Sequence, residues 1–188
     1  GVYARRFASD GTALTGEIQV NATTAGDQNM ARVVSDAGGN FVVTWTSAGQ
    51  DGNATGVYAR RFDASGAALT GEIAVNTTTT GDQRNSVIGM NRSSGEIVVV
   101  WEGQGSGDAA GIFFRRFAAD GTAVDAVERR ANVIDGGAEA NPAAAMSSSS
   151  SLTPGLPPSS PGRATRSPLG CDAPRRRSGC RSPATRRG

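Results

Sequence analysis

Gly56-Val57-Tyr58-Ala59-Arg60-Arg61-Phe62, followed closely by Gly71-Glu72-Ile73-Ala74-Val75-Asn76, is the stretch whose reading decides the fold. The same words open the chain as Gly1-Val2-Tyr3-Ala4-Arg5-Arg6-Phe7 and Gly16-Glu17-Ile18-Gln19-Val20-Asn21. They return, blurred, as Gly111-Ile112-Phe113-Phe114-Arg115-Arg116-Phe117. Gly1, Gly56 and Gly111 lie 55 positions apart each time. A period of this length marks a repeat architecture, in which one supersecondary unit recurs and buries its faces against its neighbours.

Working outward from Gly56, the preceding runs are Asn29–Ser35 and Asn40–Thr46, joined through Asp36-Ala37-Gly38-Gly39. The following run is Ala68–Asn76, reached through the turn Ala64-Ser65-Gly66. Val, Ile, Phe, Tyr and Trp fill the runs and Gly, Asp, Asn and Ser the gaps, as in antiparallel strands joined by hairpins. Asp10-Gly11, Ser65-Gly66 and Asp120-Gly121 share one repeat phase, where a hairpin needs a positive φ. No window shows a sustained 3.6-residue period with caps, so no helix is expected.

Phe41–Trp45 and Ile97–Trp101 are apolar on both faces. A sheet with one wet face would alternate; a sheet held between two neighbours would not. The expected fold is therefore all-β: a β-propeller-like array of four-stranded antiparallel blades, two blades plus a partial third, with a disordered C-terminal tail. The repeats run about 1–55, 56–110 and a truncated 111–146. A β-solenoid or open stack of small sheets is the alternative. Propellers close with about four to eight blades, so the chain reads as a piece cut from something longer, with an apolar blade face left exposed at each end.

The third period decays. Asn141-Pro142-Ala143-Ala144-Ala145-Met146 still aligns with Asn85-Ser86-Val87-Ile88-Gly89-Met90, but the Trp-bearing strand due next is replaced by Ser147–Ser151 and a Pro, Ser, Gly and Arg mixture. All eight Pro lie at or beyond Pro142. The expected boundary divides a β region, 1–142, from a disordered tail, 143–188. A break in mid-blade suggests out-of-frame translation of GC-rich coding sequence.

Residues 1–142 carry 11 Arg against 16 Asp and Glu, a formal −5; residues 143–188 carry eight Arg against one Asp, a formal +7. The acidic repeat region argues against a nucleic-acid footprint, and the tail has no aromatic residue to stack on a base, so no specific nucleic acid is expected. The chain contains neither His nor Lys, which excludes Ser-His-Asp and Cys-His catalysis within it. Cys171 and Cys180 both fall in the tail, so the repeats need no disulfide. No apolar run approaches the roughly 20 residues of a membrane span.

Three constellations remain. Asp51-Gly52-Asn53-Ala54-Thr55-Gly56 matches the first half of a calcium loop, with Asp51, Asn53 and Thr55 as candidate ligands. The bidentate acid of the twelfth position is missing, Phe62 standing there, and a plain hairpin loop explains the same residues. Gly26-Asp27-Gln28 and Gly81-Asp82-Gln83 recur between units, so Asp27, Gln28, Asp82 and Gln83 are either turn caps or ligand-facing groups at a rim. The twin arginines of each repeat should point one to each face of their strand, with Glu17 and Glu72 as cross-strand ion-pair partners.

The units G-[VI]-[YF]-x-R-R-F-[DA]-x-x-G, G-E-I-x-V-N, G-D-Q and F-V-V-T-W resemble tandem repeats of about 50 residues in very large secreted bacterial proteins, often alongside calcium-binding nonapeptide (RTX) or cadherin-like modules. The resemblance covers about residues 1–146. It implies a secreted or cell-surface setting, calcium-rich surroundings and a binding or spacer role. The role expected of this chain is a scaffold or adhesive surface, with neighbouring repeats of a longer parent chain as partners and a surface glycan or protein as a further one. No G-G-x-G-x-D run occurs, so RTX-type calcium binding is not carried over. The functional expectation is a non-catalytic module without a cofactor. Carbohydrate or calcium binding is the second reading, and a fragment of a glycoside-active propeller, with an Asp/Glu site completed elsewhere, is the third.

Overall fold

A computed structural model describes residues 1–133 and 139–147. The expectations for the tail, its disorder and its reading frame, concern residues of which 148–188 lie outside those described. The described residues contain no helix and ten strands: β1 Tyr3–Ala4, β2 Ile18–Gln19, β3 Gln28–Ser35, β4 Phe41–Ala48, β5 Thr55–Phe62, β6 Ile73–Ala74, β7 Gln83–Met90, β8 Ile97–Gly105, β9 Asp108–Phe117 and β10 Arg129–Arg130. They form a four-stranded sheet β3-β4-β5-β6, a second of order β10-β9-β8-β7, and a two-stranded sheet β1-β2. Pairing between the strands is antiparallel throughout. β1 and β2 repeat β5 and β6 at a distance of 55 positions, so they form the outer half of the same unit.

Central strands β4 and β8 are dry on both faces, as their unalternating composition requires. Phe41, Val43 and Trp45 point toward β1 and β2, packing with Val2, Val20, Tyr58 and Phe62. Val42 points the other way, into a cluster with Val57, Ala59, Val75, Ile97, Val99, Trp101, Phe113 and Phe117. Each Trp thus faces the preceding sheet, and both are fully buried. Aromatic pairs lock the centre to its neighbour strand: Phe41 stacks on Phe62 at 5.0 Å and Trp45 on Tyr58 at 6.3 Å between centroids.

The first strand of each four-stranded sheet carries a bulge at one phase. Register slips between Asn29 and Arg32 in β3 and between Arg84 and Val87 in β7. Met30, Asn85 and Asn141, successive occupants of that phase, all take positive φ near 54–60°. A left-handed residue re-aims the strand and adds twist. Asn141 keeps this turn although no strand is assigned after it, and residues 141–147 alternate exposed and half-buried along the backbone of Gly89. Ala145 and Met146 thus run beside Gly89 within the truncated third repeat.

The outermost strand is shorter than the run Ala68–Asn76 suggested. Ala68 makes one bridge to Phe62, and ladder pairing resumes only at Ile73. Between them the Thr70 hydroxyl accepts the Arg61 N–H and its carbonyl accepts Arg60 Nε, so side chains take over the ladder. The Gly11, Gly66 and Gly121 turns have φ of 86–91°, as a hairpin at that phase demands.

Candidate functional site

The recurrent charged residues are spent between sheets. Glu72 leaves its own strand and accepts the N–H of Ala22, the N–H of Thr23 and the Thr23 hydroxyl, all in the preceding unit. Gln50 Nε2 donates to the same carboxylate. Burial opposes ionisation of Glu72, but these donors outweigh it and hold the carboxyl below its ordinary range. Arg60 completes the clasp, donating to Val20 O at 2.9 Å from above the Phe62 ring. One unit along, Arg115 donates to Val75 O, and Glu128 accepts from the backbone and hydroxyl groups of Thr77 and Thr78. The expected Arg–Glu ion pairs across strands are therefore corrected: both partners reach the neighbouring sheet's loop and bond its backbone N–H and C=O groups instead of each other.

The second arginine of each pair does point to the opposite face. Arg61 is buried and reaches Gly95 O in the next sheet at 3.2 Å. Burial lowers its pKa, opposed by the charges of Asp36 and Asp120. Arg116 instead binds Asp125 through two nitrogens, at 2.9 and 2.7 Å. Asp125 stands where the other repeats have Thr15 and Thr70, so this arginine is neutralised within its own sheet.

Gln28 and Gln83, two of the four expected rim residues, are buried. Each accepts from the Asn of the preceding outer strand (Asn21, Asn76) and donates to loop carbonyls. Asn21 and Asn76 in turn accept the N–H of Val2 and Val57. Asp27 and Asp82 are exposed. The Asp27 carbonyl accepts Ala48 N–H, while the Asp82 carboxylate accepts the Thr55 hydroxyl and sits 3.6 Å from Arg84. Asp82 presents its carboxylate at a cleft.

The calcium-loop oxygens also have internal partners. Asp51 Oδ1 accepts Asn53 N–H in an Asx turn, Asn53 Oδ1 accepts Gly81 N–H, and Thr55 donates to Asp82. These bonds stitch the β4–β5 loop to the entrance of β7. No group of three or more acidic, Cys or His side chains suited to a metal occurs among the described residues.

The cleft beside Asp82 has a volume of about 410 Å³ and is lined by Asp82, Arg84, Glu102, Gln104 and Glu139 with small residues between them. Glu102 is nearly buried and accepts Arg84 Nε at 3.2 Å, Asn85 Nδ2 and Asn141 N–H. Glu139 Oε2 is buried without a hydrogen-bond partner. An Arg flanked by the carboxylates of Asp82 and Glu102 is suited to hydrogen-bonding hydroxyl-rich or cationic groups. Arg84 and Glu102 went unnoticed in the sequence. Their signal was a departure from the repeat, since the equivalent positions hold Asn29 and Thr46.

No protein-family model matches the sequence, and no curated protein matches it either.

Proposed function

We propose that this chain is a non-catalytic repeat module of a large secreted or cell-surface bacterial protein, acting as scaffold or adhesive surface in a propeller-like array. What supports this reading is the use made of the recurrent side chains. Arg60, Glu72, Asn76 and Gln83 are all committed to holding sheet to sheet or loop to strand. A repeated motif that serves its own stacking leaves the array's broad faces as the functional surface. Its partners are then neighbouring repeats and a surface glycan or protein.

The second reading is carbohydrate or calcium binding at the cleft of Asp82, Arg84, Glu102 and Glu139, favoured by the partnerless Glu139 oxygen. Calcium titration by calorimetry and a glycan array separate the two. A flat response on both supports the scaffold, whereas a saturable response lost in Asp82→Asn moves the assignment to the cleft.

A further inference from the structure

We propose that the apolar slot between β1 and the sheet β3–β6 binds one further antiparallel strand of the Phe-Val-Val-Thr-Trp type, supplied by another repeat unit. The inference rests on the stacking part of the scaffold reading and names the partner's chemistry.

The slot has a volume of about 490 Å³, with Tyr3, Arg5 and Phe7 on one wall and Val33, Phe41 and Val43 on the other. Among the described residues β1 pairs along one edge only, with β2. Val20 N–H donates to Val2 O and Leu14 N–H to Arg6 O, so Val2 and Arg6 turn their backbone groups toward the β2 side. In an extended chain the N–H and C=O groups of Tyr3, Arg5 and Phe7 then lie along the opposite edge.

The same positions one repeat along show what such an edge takes. Tyr58, Arg60 and Phe62 pair with Trp45, Val43 and Phe41 of β4. With β4 beside them and Val2 and Val20 of the preceding sheet against them, Tyr58 is 6% exposed and Phe62 1%, whereas Tyr3 is 56% exposed and Phe7 57%. The facing wall differs in the same way: Ile88 is half-buried against the cluster containing Val42, while its counterpart Val33 is 62% exposed. Both walls thus lack one common neighbour, a strand.

Its side chains follow from the register. One aromatic must stack on Phe7 as Phe41 does on Phe62, and a second on Tyr3 as Trp45 does on Tyr58. The intervening residues fall onto Val33 and Ala31, the counterparts of Ile88 and of Ser86, whose hydroxyl meets Thr44. Arg5 already lies 5.6 Å from the Phe7 ring centroid, as Arg60 does over Phe62, so that wall is preformed. Main-chain bonds along an open edge supply affinity and alternate side chains supply specificity in strand addition of this kind.

The test uses the full chain and a labelled peptide of residues 39–49, followed by fluorescence anisotropy. We expect saturable one-to-one binding, weakened at least tenfold when the peptide carries Trp45→Ser or when the chain carries Phe7→Arg or Val33→Asp. Leu69→Arg, at an exposed position outside the slot, is expected to leave binding unchanged. Hydrogen exchange should slow at the amides of Tyr3, Arg5 and Phe7. Unsaturable binding, equal binding of both peptides, or protection elsewhere overturns the proposal. So does a dimer in sedimentation that excess peptide does not dissociate, which assigns the slot to a second copy. A saturable calcium or glycan response lost in Asp82→Asn sinks the scaffold reading without affecting the peptide assay, so the two fail separately.

Discussion

Glu72 concentrates at one residue what the repeated Gly-Glu-Ile signals. Its two oxygens collect two backbone N–H groups, a hydroxyl and an amide across a sheet boundary. Removing such a partly buried acceptor leaves several donors without partners, so Glu72→Ala is expected to cost about 2 kcal/mol in urea unfolding. Because its folded pKa is depressed, the stabilisation is present above the unfolded value and drains as pH falls through the folded one. The acid limb of a stability–pH curve should accordingly flatten in Glu72→Gln. Tyr58 gives the alkaline counterpart. Burial first, then the charges of Asp51 and Glu72, push its phenol up to about 12. The folded state keeps the neutral phenol while the unfolded chain ionises near 10, so stability is full below pH 10 and falls as pH rises toward 12. Tyr58→Phe should remove part of that fall in thermal melts. The charge of Glu72 was legible in the sequence, its partner was not: a carboxylate opposite an Arg on an adjacent strand invites an ion pair, and only three-dimensional stacking shows that orphan N–H groups at Ala22 and Thr23 lie closer.

Among elements, the first-strand bulge is the feature the sequence hid. Met30 and Asn85 share no obvious chemistry, yet both hold φ of 54°. Left-handed backbone costs a non-glycine residue about 1–2 kcal/mol, and more when the side chain branches at Cβ. Met30→Gly is therefore expected to raise stability by about 0.5 kcal/mol, and Met30→Val to lower it by about 1 kcal/mol, both read from denaturant midpoints. The β4 and β5 strands, by contrast, were legible nearly to the residue. Their unbroken apolar runs and flanking turn glycines admit little else. Outer strand β6 fell short because Thr70 and Arg60 substitute side-chain bonds for ladder bonds, an exchange that depends on geometry and leaves no mark on composition. At the cleft, Asp82 was picked out by its recurrence, whereas Arg84 and Glu102 were masked by the same habit of reading, since they occur once.

For the molecule as a whole, stability comes from sheet-to-sheet burial and is held by few residues. Trp101 joins the cluster that binds one sheet to the next and is fully buried. Trp101→Ala is expected to cost about 3–5 kcal/mol, much of the 5–15 kcal/mol available to a domain of this size. Near-ultraviolet circular dichroism and a lowered urea midpoint would register it. The sequence by itself determined the unit: four antiparallel strands, their order, the turn positions and the two-faced burial of the Trp strand. All of these follow from local alternation and turn chemistry, which a linear pattern records. Only the tertiary structure decided which groups meet across the sheets: the Arg60–Glu72 clasp on the neighbouring loop, the buried Asn76–Gln83 pair, the ionic cleft at Asp82 and the open edge at Tyr3–Phe7. The clasp joins residues 40 and 50 positions apart to backbone groups, which every residue carries and no sequence distinguishes; Asn76–Gln83 and Arg84–Glu102 are nearer in the chain, but only the fold aims those side chains at each other.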